Sequence, residues 1–244
     1  MTDGVTTHDA GFQTVDQRRA VANFLDRGGE ANFVDSHHFN LAAYTIAGML
    51  GLDEMMPVTV HRTWNGRSGT ITWWIDDAID ERTRLKEQRQ APNPVAWAQQ
   101  MYKMRLFAAL FGDTDRNLGN VLITPDWRLW MIDFTRAFRL QTELRHPGDL
   151  PQVDRRVLTT LRTLDGAAVK ASTAHCLSVY EAAAVMKRRD VLVAHFDALI
   201  AAKGASAYYT ALNRNRNDRK VRPRQVAQAG VIAGGQGLLR HDTG

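Results

Sequence analysis

Residues 112–135 read GDTDRNLGNVLITPDWRLWMIDFT, and the reading of this stretch decides the fold. Two polar clusters, DTDRNLGN and MIDFT, bracket an apolar strand pair. Carboxylates gain nothing from lying beside Val, Leu, Ile and Trp. NVLIT and RLWMID read as two strands, with Pro125 and Asp126 as turn residues between them. The hairpin returns the chain so that Asp133 stands beside Asn120. Asp115, five residues before Asn120, lies on a loop that can turn both side chains toward one cleft. Phosphoryl transfer uses such a set: a carboxylate that orients a hydroxyl, and oxygen ligands that hold divalent ions against nucleotide phosphates. The competing reading is a polar turn at each end of a hairpin, Asp and Asn being common turn residues.

Working upstream, residues 94–111 form an amphipathic stretch that stops at Gly112. Val95, Ala98, Tyr102, Leu106 and Ala109 lie on one stripe, and Trp97, Met101, Met104, Ala108 and Phe111 on another, which predicts a central helix buried all round. Before it, the charged segment DDAIDERTRLKEQRQAPNP marks a boundary. PVTVHRTWNGRSGTITWWI reads as two strands joined at Asn65-Gly66, which supplies the positive φ of a tight turn. FNLAAYTIAGML reads as a helix capped by Asp35 or Ser36 and stopped by Gly51. Residues 1–35 are polar, with one short apolar patch, AVANFL, that could form a strand.

Downstream, VDRRVLTTLRTL carries Val153, Val157, Leu161 and Leu164 at helical spacing. Ser178 and Glu181 form a capping-box pair before EAAAVMKRR, and a separate last helix, DVLVAHFDALIAAKG, runs to Gly204. The net charge of +5 belongs to the tail: residues 1–204 hold 24 basic and 24 acidic side chains, and residues 205–244 hold 7 and 2. That tail reads as a solvated basic extension, or else as an arm for weak nucleic-acid or anionic-surface contact. Cys176 is the only cysteine, which excludes an intramolecular disulfide and suits a small buried filler. The opening residues lack an apolar signal region and no stretch is long enough to span a bilayer, so the expectation is a cytoplasmic protein without a transmembrane segment. His37-His38 resembles a metal pair only superficially, because adjacent helical side chains diverge.

DRNLGN, followed thirteen residues after its Asn by the Asp of IDFT, resembles the catalytic loop and metal motif of the protein-kinase-like superfamily. The likeness is to its atypical branch: phosphoinositide 3- and 4-kinases, HipA-type toxin kinases and bacterial kinase-like proteins. It spans roughly residues 36–203 and rests on spacing and element order. The resemblance implies an α+β, kinase-like bilobal fold with a reduced N-lobe (a helix plus short antiparallel strands) and a mostly helical C-lobe. Residues 1–77 would be the reduced N-lobe and hinge, 78–204 the C-lobe, and 205–244 the flexible basic tail. It implies ATP with Mg²⁺ or Mn²⁺ as cofactors, Asp115 as catalytic base, and Asn120 and Asp133 as metal ligands. Leu122 and Ile132 would floor the adenine pocket, and backbone groups of Trp74, Ile75 and Asp76 would bind the adenine edge. Asp113 would orient Arg116 or compete for the metal. The phosphoryl acceptor is left open among protein, lipid and small molecule.

The same comparison exposes gaps. A kinase N-lobe carries a Gly-rich strand pair and a strand Lys paired with a helix Glu. Here no Lys precedes Lys86, Asn40 stands where the Glu is expected, Gly28-Gly29 is the one glycine pair before that helix, and Thr135 replaces the usual Gly after Asp133-Phe134. Arg18, Arg19 or Arg27 could in principle touch a phosphate, though Arg is not a like-for-like substitute for a strand Lys. Three functions are compatible with this pattern: an atypical phosphotransferase with weak or absent activity in this chain alone, a pseudokinase or interaction module without catalysis, and a nucleic-acid or anionic-surface binder acting through the tail.

Overall fold

A computed structural model describes residues 2, 7–24, 28–113 and 116–210. The chain begins with β1 (Ala10–Gln13), a hairpin of β2 (Asp16–Phe24) and β3 (Gly28–Ser36), and helix α1 (His38–Leu50). A second hairpin, β4 (Thr59–Trp64) and β5 (Arg67–Trp73), turns at Asn65 and Gly66, whose φ values of 49° and 71° are the positive pair expected for a two-residue turn. β1 pairs antiparallel with the far edge of β5, giving the order β1-β5-β4, with Gln13 opposite Thr70. Gly69 permits that pairing. A Cβ there would lie 2.4 Å from the Gln13 carbonyl oxygen and 2.6 Å from the Phe12 ring. Sequence patterning shows only one strand in residues 1–35, because β2 and β3 carry mostly polar side chains and pair only with each other.

Helix α1 ends at Gly51 with φ 67°, as its stop signal predicts, but neither Asp35 nor Ser36 caps its start. His37 is the cap residue and makes no side-chain cap bond. The Ser36 groups are engaged elsewhere: its hydroxyl donates to Asp16 at 2.8 Å and its amide to the Thr135 carbonyl at 2.9 Å.

β6 (Ile79–Asp80) leads into the short α2 (Glu81–Lys86), whose cap is the Asp80 carboxylate accepting from the Thr83 amide at 2.7 Å. Those Thr83 hydrogen bonds hold the Asp80 carboxyl below its ordinary range. α3 (Pro94–Phe111) has the bounds read from sequence, with Asn93 as cap and Pro94 in its first turn. It is not buried all round. Met104, Leu106, Phe107, Leu110 and Phe111 are buried, whereas Val95 is 67% exposed, so only the C-terminal half enters the core. β7 (Val121–Ile123) and β8 (Leu129–Met131) form the expected hairpin, and β6 joins β7 to complete a three-stranded antiparallel sheet.

The remainder comprises β9 (Val153–Asp154), α4 (Arg155–Thr163), α5 (Gly166–Thr173), α6 (Val179–Lys203) and β10 (Tyr208–Tyr209). The Ser178–Glu181 capping box forms, but the two helices expected after it are one helix of 25 residues. Nothing between Arg188 and Asp190 breaks a helix, and Asp190 pairs with Arg189 at 2.7 Å instead of capping. β10 runs parallel to β9, and the buried Tyr209 donates its hydroxyl to the Gln99 carbonyl at 2.9 Å. The folded body therefore continues past the boundary drawn at residue 205. Residues 211–244, with most of the basic tail and the GGQG segment, lie outside the described residues.

One contiguous core runs from Phe39 and Ile46 of α1, through Phe107 and Phe111 of α3 and the Phe134 and Phe138 rings, to Val185 and Phe196 of α6. A division near residue 77 is thus not a division of the core. Each such side chain contributes about 1.5–3 kcal/mol by leaving water. Cys176 is buried with them, and burial pushes its thiol up to about 11. No helix among the described residues is long and apolar enough to cross a membrane.

Candidate functional site

α3 ends in a left-handed turn at Gly112, φ 57°, which returns the Asp113 amide to the Ala108 carbonyl at 3.0 Å. A Cβ on Gly112 would lie 2.9 Å from an Arg188 guanidinium nitrogen, so the site needs glycine for space as well as conformation. Asp113 then points inward, its side chain fully buried against Arg116. Thr114 and Asp115 lie outside the described residues, so the position of the expected catalytic base is not among them.

Arg116 ties the two ends of the hairpin together. Its Nε and one terminal nitrogen donate to Asp113 Oδ2 at 2.8 and 2.6 Å. The other terminal nitrogen reaches the carbonyls of Asn120 at 2.8 Å and Ile132 at 2.5 Å, and a further bond meets the Asp133 carbonyl at 3.0 Å. One guanidinium therefore joins the loop before β7 to the chain after β8, where its plane also lies 4.1 Å from the Phe134 ring centroid. The Ile132 amide completes the link by donating to the Asn120 carbonyl at 3.2 Å. The backbones at Asn120 and Asp133 are thereby held close to each other. Asp113 is the partner of Arg116, the first of its two expected roles.

Asp133 takes a left-handed conformation, φ 55°, unusual for a residue other than glycine. Its Oδ1 accepts from the Thr135 hydroxyl at 2.9 Å and the Thr135 amide at 3.3 Å. Thr135 is therefore not a defective glycine. Positive φ falls at Asp133 and Phe138, and the threonine hydroxyl orients the carboxylate, which a glycine could not do. The Phe134 amide donates to Asn40 Oδ1 at 2.7 Å, and the buried Phe134 ring packs edge-on to Phe107 and Phe111.

Leu122 and Ile132 are half-buried, whereas their neighbours Val121, Ile123 and Met131 are buried. Alternation thus puts Leu122, Trp130 and Ile132 on the outer face of the β6-β7-β8 sheet, Leu122 opposite Trp130. At the chain segment after β5, the Trp74 amide already donates to the Asp9 carbonyl at 3.2 Å. That donor is engaged within the protein, so of the expected backbone set the Trp74 N–H is already used. His8 stacks on Trp73 at 3.7 Å and bonds the Asp76 carboxylate at 2.8 Å, fixing the same segment from outside.

No family model matches this chain, and no curated protein matches it. The geometry alone carries the reading.

Several expected contacts are not formed. Arg18 pairs with Glu181 at the start of α6 at 3.1 Å, and Arg19 bonds Gln17 at 3.2 Å, so neither is directed to Asn120 or Asp133; Arg27 lies outside the described residues. The β2-β3 hairpin instead lies along the chain after Asp133, where Glu30 receives Arg136 at 2.6 Å and Arg139 at 2.5 Å. A groove of about 340 Å³ between this hairpin and α6 is lined by Arg18, Phe33, Arg139 and Tyr180 but by neither Asn120 nor Asp133. His37, His38 and His61 gather with ring centroids 4.1 to 6.1 Å apart, so the two adjacent histidines do not diverge as expected: His37 is the cap residue before the helix, not a residue within it. No group of three or more His, Cys, Asp or Glu that could hold a metal ion occurs among the described residues. Sequence reading missed Arg116 and Asn40 as organisers. The signal was present: an Arg directly after two acids in the loop that precedes a hairpin, and an Asn between Phe39 and Leu41 on the apolar start of a helix.

Proposed function

We propose that this protein binds ATP with Mg²⁺ or Mn²⁺ through a kinase-like site and belongs, by mechanism, with atypical phosphotransferases. The observation that carries this is the Arg116 bridge. It holds the backbone of Asn120 against that of Asp133, at the mouth of a hairpin whose outer face carries Leu122 and Ile132. The order of elements, a β-sheet and helix before the short segment at 74–78 and helices after it, supports the same reading.

The donor set fits a hard cation: an amide oxygen and a carboxylate, with one carboxylate oxygen engaged by Thr135. Two such ligands are incomplete alone, so nucleotide phosphates would supply the rest and metal and nucleotide would bind together. The metal would neutralise charge on the phosphates. The protein's own part is to hold Asn120 and Asp133 in register, to present Leu122 and Ile132 to an adenine ring, and to let the Asp115 carboxylate orient the acceptor hydroxyl. The acceptor is a hydroxyl of a protein, lipid or small molecule.

The pseudokinase reading has one specific observation in its favour. Asn40, at the helix position where the resemblance expects a Glu, pairs with neutral Gln13 at 2.7 Å and not with a Lys. Weak phosphoryl transfer is therefore expected, since misplacing a reacting group by about 1 Å costs on the order of a hundredfold.

Thermal shift with ATP, with and without Mg²⁺ or Mn²⁺, tests binding. Metal-dependent stabilisation that disappears in Asp133→Ala and Asn120→Ala supports the site, and equal shifts in all three remove it. Labelled-ATP turnover with Asp115→Ala as control separates the enzyme from the pseudokinase.

A further inference from the structure

We infer that Asn40, braced by Gln13, is a positioning residue for the Asp133 carboxylate. This inference rests on the nucleotide-and-metal reading of the site.

Asn40 lies in the first turn of α1 and is buried. Its Oδ1 accepts the Phe134 amide at 2.7 Å and its Nδ2 donates to Gln13 Oε1 at 2.7 Å. The orientation of the Asn40 amide is decided by Phe134: a backbone N–H can only donate, so oxygen must face it and nitrogen must face Gln13. Gln13 in turn is the last residue of β1, anchored opposite Thr70 of β5. A continuous chain of hydrogen bonds therefore runs from the N-terminal sheet, through α1, to the peptide group after Asp133.

That peptide group is held at both ends. Its oxygen, the Asp133 carbonyl, accepts from Arg116 at 3.0 Å, and its N–H donates to Asn40. A peptide is planar, so gripping both ends fixes its orientation and with it the ψ of Asp133. The Ser36 amide adds a third hold, on the Thr135 carbonyl at 2.9 Å. With Oδ1 of Asp133 engaged by Thr135, the other carboxylate oxygen is aimed by this frame. Removing the Asn40 end leaves a buried N–H without a partner and lets the plane rotate about the Arg116 contact.

Two substitutions separate positioning from folding. Asn40→Leu keeps the branched shape and removes both hydrogen bonds. Asn40→Asp keeps an acceptor for Phe134, and Gln13 can turn its amide to donate to the new carboxylate. The readout is the Mg²⁺ concentration at half-maximal binding of a fluorescent ATP analogue to the full chain. Groups that orient a metal ligand typically change metal affinity roughly tenfold to hundredfold when removed. Asn40→Leu is therefore expected to raise the midpoint by about tenfold or more, and Asn40→Asp to stay within about threefold of wild type. Val169→Ala, a cavity in the buried face of α5, serves as the control: it lowers the melting temperature without moving the metal midpoint. An Asn40→Leu midpoint equal to wild type overturns the inference alone, provided Asp133→Ala abolishes metal-dependent binding. Asn40→Asp as weak as Asn40→Leu also overturns it, because the acceptor would then not be what matters. A wild-type chain without metal-dependent nucleotide binding overturns the functional reading and this inference with it.

Discussion

Replacing Arg116 by Met should be among the most damaging single substitutions outside the hydrophobic core. The guanidinium side chain is 8% exposed and its Asp113 partner 0%, so this is a buried pair. Met matches the stem and removes the charge, which leaves the Asp113 carboxylate buried without its Arg116 partner and the carbonyls of Asn120, Ile132 and Asp133 without those donors. Breaking a buried pair from one side costs about 3–5 kcal/mol. For a chain of this size about 1 kcal/mol moves the melting temperature by roughly 2–4 °C, so a fall of roughly 6–20 °C is expected. Urea unfolding followed by tryptophan fluorescence measures the free energy directly. Arg116→Lys should fall between, because an ammonium cannot serve a carboxylate and three carbonyls from one plane. The double variant Asp113→Leu/Arg116→Met should recover a large part of the loss, since no uncompensated charge remains. A loss below about 1 kcal/mol in Arg116→Met would equal that of an exposed ion pair and would refute the view that this guanidinium binds the two halves of the site.

Stability should fall as pH drops below about 6.5. Burial is the main cause that holds His37 and His38 below their ordinary value; His38 and His61 add repulsion on His37, His61, His175 and Arg18 add it on His38, and Asp16 opposes on both. The unfolded histidines therefore take up protons first, the unfolded state gains, and the loss levels off once pH passes the lowered folded values; melting curves of wild type and His37→Gln/His38→Gln with the same pH slope would refute this. Gly69→Ala should destabilise by clash with Phe12 and the Gln13 carbonyl and should also expose residues 10–13 to faster hydrogen exchange; unchanged exchange there would mean β1 does not depend on that contact. A chain ending at Gly204 should melt lower than one ending at Thr210, because the first lacks Tyr209 and its bond to Gln99; equal melting would show that β10 contributes nothing. The lone thiol of Cys176 should resist alkylation by iodoacetamide at pH 8 in the native state and react on addition of denaturant, burial having pushed it to about 11; rapid native reaction would contradict its place in the core.

The elements legible in the sequence are those with local causes. Asn65-Gly66 must turn, Asn93-Pro94 and Gly112 delimit α3, and Ser178 with Glu181 starts α6, because each is decided within a few residues. What failed has non-local causes. β1 is a strand because β5 offers it an edge and Gly69 makes room, neither of which shows in AGFQ itself. The half-buried N-terminal part of α3 and the unbroken α6 depend on which neighbours the helices meet. The site divides the same way: the spacing of Asn120 and Asp133 around a hairpin is local and legible, while the grip of Asn40 and Arg116 on the Phe134 and Asp133 backbone spans 94 and 17 residues. Arginine compounds the difficulty, because its charge argues for the surface, yet the side chains of Arg116, Arg136, Arg139 and Arg188 are largely buried and bond carbonyls or carboxylates.

The threonine after Asp133-Phe134 has a consequence for ligands. A glycine there would let the segment swing between alternative orientations, and small molecules can act by favouring the outward one. In this chain such a swing must break the hydroxyl bond from Thr135 to Asp133, the Asn40 bond to Phe134 and the Ser36 bond to Thr135 together. At about 1 kcal/mol net for each hydrogen bond, and more once the Phe134 ring leaves the core, the outward state is populated at roughly 1% or less. A compound that binds only that state loses affinity in proportion, by about a hundredfold or more. Ligands for this protein should therefore be those that accept the single inward posture.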